Sequence, residues 1–159
     1  GSLPEAITLA RQVASVVSAG EATSKASEAV AQVVWMARHS REKDDIRFTI
    51  EKDFGFDLSI NEEDLKALLS GAVKEPIIVN GVETGDFYYR LPDRPRQDFS
   101  PEAAISASMR AFLDSDGFED AVRRATALGG DSCTISAITG AIAESYYGGV
   151  PEKICGLCE

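Results

Sequence analysis

Asp131 and Thr134 stand three residues apart, directly after a Gly129-Gly130 pair and at the head of the most apolar stretch of the chain. On a helix that spacing turns both oxygen-bearing side chains toward one point near the N-terminus. Two chemistries suit the pair. A carboxylate and a hydroxyl are ligands for a hard divalent cation such as Mg²⁺, and the two glycines let backbone approach a ligand closely. The plainer alternative is a helix cap, in which Asp131 or Ser132 accepts a backbone N–H and nothing is bound. Spacing alone favours the cap.

Other reactive side chains are sparse. Cys155 and Cys158 form Cys-Gly-Leu-Cys, a spacing shared by redox pairs and by half of a zinc site. A zinc site needs two more ligands, and only Cys133 and His39 remain to supply them. His39 lies in a charged Arg38-to-Lys43 stretch and reads as a surface residue at a solvated helix end, while the two C-terminal cysteines read as reduced thiols in a frayed tail. The acidic groups Asp44-Asp45 and Glu62-Glu63-Asp64 fall on charged helical faces and read as solvated surface.

The elements that must position Asp131 and Thr134 are helices. Leu3 to Val17 and Ala22 to Arg38 carry apolar residues at helical spacing, with Ser18-Ala19-Gly20 between them and Trp35 and Met36 filling core space. Ile46, Ile50 and Phe54 mark a third helix from Lys43, stopped at Gly55. Ser59 and Glu62 form a capping-box pair ahead of Leu65, Leu68 and Leu69, and Gly71 closes that segment. Ser100-Pro101-Glu102 starts a helix to about Leu113, and another runs from Phe118 to Leu128. The last, from Asp131 to Tyr147, is apolar nearly all round and is expected at the centre, its small residues admitting close neighbours. The residues after Gly148-Gly149 are too few for another packed helix.

Between Lys74 and Asp98 the pattern changes. Three prolines enter, and Ile77 to Val82 reads as two short extended runs around an Asn80-Gly81 turn. This is an irregular surface excursion holding a small hairpin, with a lid over a site as the sharper alternative.

With 26 acidic against 16 basic residues the net charge is −10, which repels phosphate backbones and anionic lipid surfaces. Nucleic acid and membrane are therefore not expected partners. A phosphorylated small ligand stays open, since divalent cations can bridge it to acidic groups. No apolar run approaches the roughly 20 residues that span a bilayer, and no secretory leader opens the chain, so the expected location is cytoplasmic. The 159 residues fit a single domain; the Gly1-Ser2 start reads as a tag remnant or as the beginning of an excised piece.

The segment Gly129-Gly130-Asp131-Ser132-Cys133-Thr134, with the small-residue run to Glu144 and Tyr146 to Glu152, resembles the closing segment of the ADP-ribosylglycohydrolase family. There a Gly-Gly-Asp-Ser/Thr-Asp-Thr motif opens a small-residue helix. The likeness continues through Ser100 to Ala104, Ala111 to Leu113, Phe118 to Ala121, Glu28 to Ala31 and Ile50 to Leu58. It implies an all-α fold with two Mg²⁺ ions in a cleft, Asp131 and Thr134 as metal ligands, and hydrolysis of the glycosidic bond between ADP-ribose and an acceptor.

Three departures qualify what the resemblance implies. Cys133 stands at the position of a family aspartate, and a soft thiol is a poor Mg²⁺ ligand. The family's N-terminal Thr-Asp-Asp-Thr-like motif has no counterpart. Its central His-Pro-Glu-Gly-like stretch falls where this chain has Ser18-Ala19-Gly20-Glu21, of which Glu21 retains part. The chain thus resembles the C-terminal portion of the fold, incomplete at both ends. Two expectations follow. Activity is impaired in this chain alone, with ADP-ribose or an ADP-ribosylated protein as ligand and a complementing N-terminal half or self-association as partner. Alternatively, the chain is an inactive relative that binds ADP-ribose or a protein.

Overall fold

The computed structural model describes residues 1–17, 20–90, 92 and 98–156. Among them are eight helices and one two-stranded sheet, in the order α1 (Leu3–Val17), α2 (Glu21–Arg38), α3 (Lys43–Lys52), α4 (Glu62–Ser70), β1 (Val73–Val79), β2 (Val82–Arg90), α5 (Pro101–Leu113), α6 (Phe118–Leu128), α7 (Ser132–Tyr147) and α8 (Glu152–Cys155). The all-α expectation holds, with the hairpin as its one exception. Cys158 lies outside the described residues, as do Ser18 and Ala19.

Two apolar clusters form the interior, and α5 serves both. Its Ile105, Met109 and Phe112 pack with Val33, Ile46, Ile50 and Ile142, whereas Ala103, Ala107 and Ala111 face Leu65, Leu69, Ala125, Leu128 and Ile135. Large side chains on one face and alanines on the other let α5 sit between a thick cluster and a close neighbour. Each fully buried Ile or Phe contributes about 1.5–3 kcal/mol relative to exposure.

α7 crosses the same interior against α2, α5 and α6. Its Ile135, Thr139, Ile142 and Ala143 are buried, but Cys133, Ala137, Ala141 and Glu144 are exposed along one stripe. The helix expected to be enclosed all round is therefore open on one face. Small residues on that stripe carry too little apolar surface to force it inward. Between α5 and α7 runs a buried polar bridge. The Ser108 hydroxyl donates between the carbonyls of Ala104 and Ile135, at 2.7 and 3.2 Å, and the Thr139 hydroxyl donates to the Ser108 carbonyl at 3.3 Å. Both side chains are fully buried, so each hydroxyl's partner offsets its desolvation.

The start of α4 differs from its sequence signature. Asn61, not Ser59, caps the helix by accepting the Asp64 N–H at 2.9 Å, while Ser59 is drawn into a turn with the Asp57 carboxylate. Asn is as good a cap as Ser and stands one residue before the helix. Gly71, at φ 72°, closes α4 as expected.

The excursion after α4 is more regular than its sequence suggests. β1 and β2 pair antiparallel from Val73↔Arg90 to Val79↔Val82, with one irregularity between Pro76 and Ile78. Asn80 and Gly81 both take positive φ at the turn, as a tight two-residue hairpin needs. Asp64 ties this ribbon to α4: its carboxylate accepts from Lys74 Nζ at 2.9 Å, from Asn61 Nδ2 at 2.6 Å and from the Tyr89 hydroxyl. These hydrogen bonds, Tyr89's foremost, hold the Asp64 carboxyl well below the usual range, at about 2. Asp64 is thus a clasp, not the plain solvated charge its sequence context suggests; Asp44, Asp45, Glu62 and Glu63 are exposed as expected.

Candidate ligand site at the head of α7

The Gly129-Gly130 pair ends α6 and turns the chain into α7. Gly129 takes φ 82° and Gly130 φ 63°, a region that side chains disfavour. A Cβ on Gly130 would also meet the Leu69 Cβ at 2.9 Å. The close approach that Gly130 permits is to α4. It seats Asp131 against the end of a helix more than sixty residues upstream in sequence.

Asp131 is the N-cap of α7. One carboxylate oxygen accepts the Thr134 N–H at 3.3 Å and the other accepts the Thr134 hydroxyl at 2.7 Å. The structure brings the two sequence-identified residues together, facing each other as a cap. Ser132 takes no part in it.

Asp131 and Thr134 line a cavity of about 460 Å³, a size common for small-molecule sites. α7 adds Ile135 and Ile138; α2 supplies Thr23, Ala26, Ser27 and Val30; Leu69 closes the α4 side. The segment entering α5 contributes Asp98, Phe99 and Ser100, followed by Pro101, Ala104 and Ile105 on the helix. Phe99 is 63% exposed, a large ring left at the cavity's edge. Asp98 accepts the Ser100 N–H at 2.8 Å, and Ser100 caps α5 by accepting the Ala103 N–H at 3.1 Å. Two helix N-termini with their acceptor residues thus meet at one apolar hollow.

Several sequence candidates lie elsewhere. Cys133 is exposed and is absent from the lining, as is Glu21, the first residue of α2. Cys155 is an exposed free thiol in the single turn of α8, and its pairing with Cys158 falls outside the described residues. His39 is exposed, with its ring stacked on Trp35 at 3.8 Å between centroids. No hairpin residue lines the cavity, whereas Asp98, the last residue of the excursion, does; residues 91 and 93–97 of that excursion lie outside the described residues. Sequence reasoning missed Phe99, Asp98 and the α2 wall. The Ser100-Pro101 helix start was legible, but its meeting with α7 depends on packing.

The donor set does not fit a two-metal site. Hard divalent ions take about six oxygen ligands, and the cap offers one carboxylate and one hydroxyl already bonded to each other. Among the described residues no group of three or more His, Cys, Asp or Glu side chains is placed to hold a metal ion.

Comparison with known proteins gives one match. The model of the ADP-ribosylglycohydrolase family matches residues 1–159, the whole chain. No curated protein and no solved structure matches.

Proposed function

The chain belongs to the ADP-ribosylglycohydrolase family, and on that premise we propose that it binds the ADP-ribosyl part of an ADP-ribosylated ligand without hydrolysing it efficiently on its own. The observation that carries this reading is the cavity of about 460 Å³ bounded by the Asp131–Thr134 cap of α7. Its aliphatic walls and the exposed Phe99 ring offer apolar contact to a flat ring. The hydroxyls of Ser27 and Thr134 stand on its lining among potential partners for a sugar. Cleavage of a glycosidic bond needs a positioned acid, base or nucleophile, and Asp98 and Asp131 are both engaged as acceptors at helix starts.

The family match supports a second reading, in which a complementing N-terminal half supplies the metal-binding aspartates that this chain lacks and the assembled protein is the hydrolase. The same proposal places the protein in the cytoplasm, in keeping with the lack, among the described residues, of any helix long and apolar enough to cross a membrane. The test is a pair of measurements: the melting temperature with added ADP-ribose, and release of ADP-ribose from an ADP-ribosylated protein. A rise in melting temperature without release supports the binding reading. Release by this chain alone overturns it, and no rise in any condition removes ADP-ribose as the ligand.

A further inference from the structure

We infer that Asp131 serves this chain as the cap of α7 in place of a metal ligand, and that a ligand enters the adjoining cavity by apolar contact, without a divalent ion. The inference rests on the binding reading above for its choice of probes. Its first ground is electrostatic. A helix N-terminus carries about half a positive charge, which the Asp131 carboxylate offsets. A divalent cation placed there meets that positive end, and the opposing negative charge at the cap is a single carboxylate.

The second ground is the bonding already present. Thr134 spends its hydroxyl proton and its N–H on the two Asp131 oxygens. The other carboxylate on the cavity, Asp98, accepts the Ser100 N–H at the head of α5. Each carboxylate thus has a local role, Asp131 as the cap of α7 and Asp98 in the turn that leads into α5. Cys133, the remaining candidate beside Asp131, offers soft sulfur to a hard ion.

The third ground is the wall itself. Val30, Leu69, Ala104, Ile135 and Ile138 line the hollow between the two caps, and exclusion of water from such a surface drives binding of an uncharged ring. An adenine nucleoside, the uncharged part of an ADP-ribosyl group, is the matching probe.

The experiment uses the whole chain. Mn²⁺ is titrated and its free signal followed by electron paramagnetic resonance, for the wild type and for Asp131→Asn, which keeps a capping residue. Melting temperatures are then measured with adenosine and with ADP-ribose, each with and without Mg²⁺. The expected results are equal Mn²⁺ signals for both proteins and an adenosine-induced rise that Mg²⁺ leaves unchanged. Ala104→Met, which fills the cavity from α5, abolishes that rise. Uptake of Mn²⁺ lost in Asp131→Asn overturns the inference, as does a ligand effect that appears only with Mg²⁺. In the latter case ADP-ribose binding stands and the inference fails. A rise with adenosine but none with ADP-ribose has the opposite meaning, sinking the ADP-ribose reading while the metal-free cavity survives. No rise with either overturns both.

Discussion

The two ends of α7 are built differently. At the C-terminal end, Lys43 from α3 donates to the carbonyls of Leu113 and Ser115 and lies 5.1–5.8 Å from the ring centres of Phe112, Tyr146 and Tyr147. The Tyr147 hydroxyl donates to the Ser115 carbonyl at 2.7 Å, and Gly148 closes the helix at φ 83°. One ammonium thus satisfies the carbonyl of Leu113 at the end of α5 and that of Ser115 just beyond it, with three rings around it. The N-terminal end carries the Asp131–Thr134 cap, with Gly130 against Leu69 and the Ile135 carbonyl held by Ser108, and beside it lies open space. The contrast separates tasks along one helix: the closed end fixes α7 against α3 and α5, so that the other end can leave room for a ligand.

That division is open to direct attack. Phe112 is fully buried at the closed end, and Phe112→Ala is expected to lower stability by about 3–5 kcal/mol. For a chain of this length that lowers the melting temperature by about 10 °C, which calorimetry would show. Lys43→Met, which keeps much of the aliphatic stem, should cost about 2 kcal/mol through lost charged hydrogen bonds and ring contacts. Its ligand-induced shift should stay as in the wild type; a lost shift would mean that the two ends do not act separately.

At the open end the ranking reverses. Asp131→Ala removes the cap and is expected to cost about 1 kcal/mol in denaturant unfolding, while Asp131→Asn should cost little. A loss for Asp131→Ala as large as that for Phe112→Ala would place the anchor of α7 at the wrong end. The hairpin, none of whose residues lines the cavity, supplies the smallest effect and a control. The Asp64 carboxyl titrates at about 2 in the fold against an ordinary 3.8. Its contribution is present in full above the unfolded value and is lost as pH falls from near 4 toward 2, where the native carboxylate takes up its proton. Amide exchange in β1 and β2 should rise across that window before exchange in α5 or α7; simultaneous loss would show that Asp64 is no separate clasp.

Much of the helical framework was legible because local signals agreed. Pro101 after Ser100, the positive-φ glycines after α4 and α7, and apolar spacing in α1, α2 and α3 all act within a few residues. Where two local signals competed, the nearer cap prevailed: Asn61 took the role expected of Ser59. The openness of one face of α7 was not legible, since alanine and glycine are at home in water or in a tight contact.

For the site, the sequence determined that Asp131 and Thr134 share one helix turn and that glycines must precede them. It also determined the family, because the motif and its neighbours are carried by residue types in order. Tertiary structure alone decided what stands beside the pair. Leu69 packs beneath Gly130, α2 and Phe99 wall the space beside the cap, and Lys43 closes the far end. Those partners lie tens of residues away, and no local preference links them. Burial of the apolar faces of α2, α5 and α7 brings them together, and from that burial comes the cavity, whereas the bonding that makes Asp131 a cap is local to one turn.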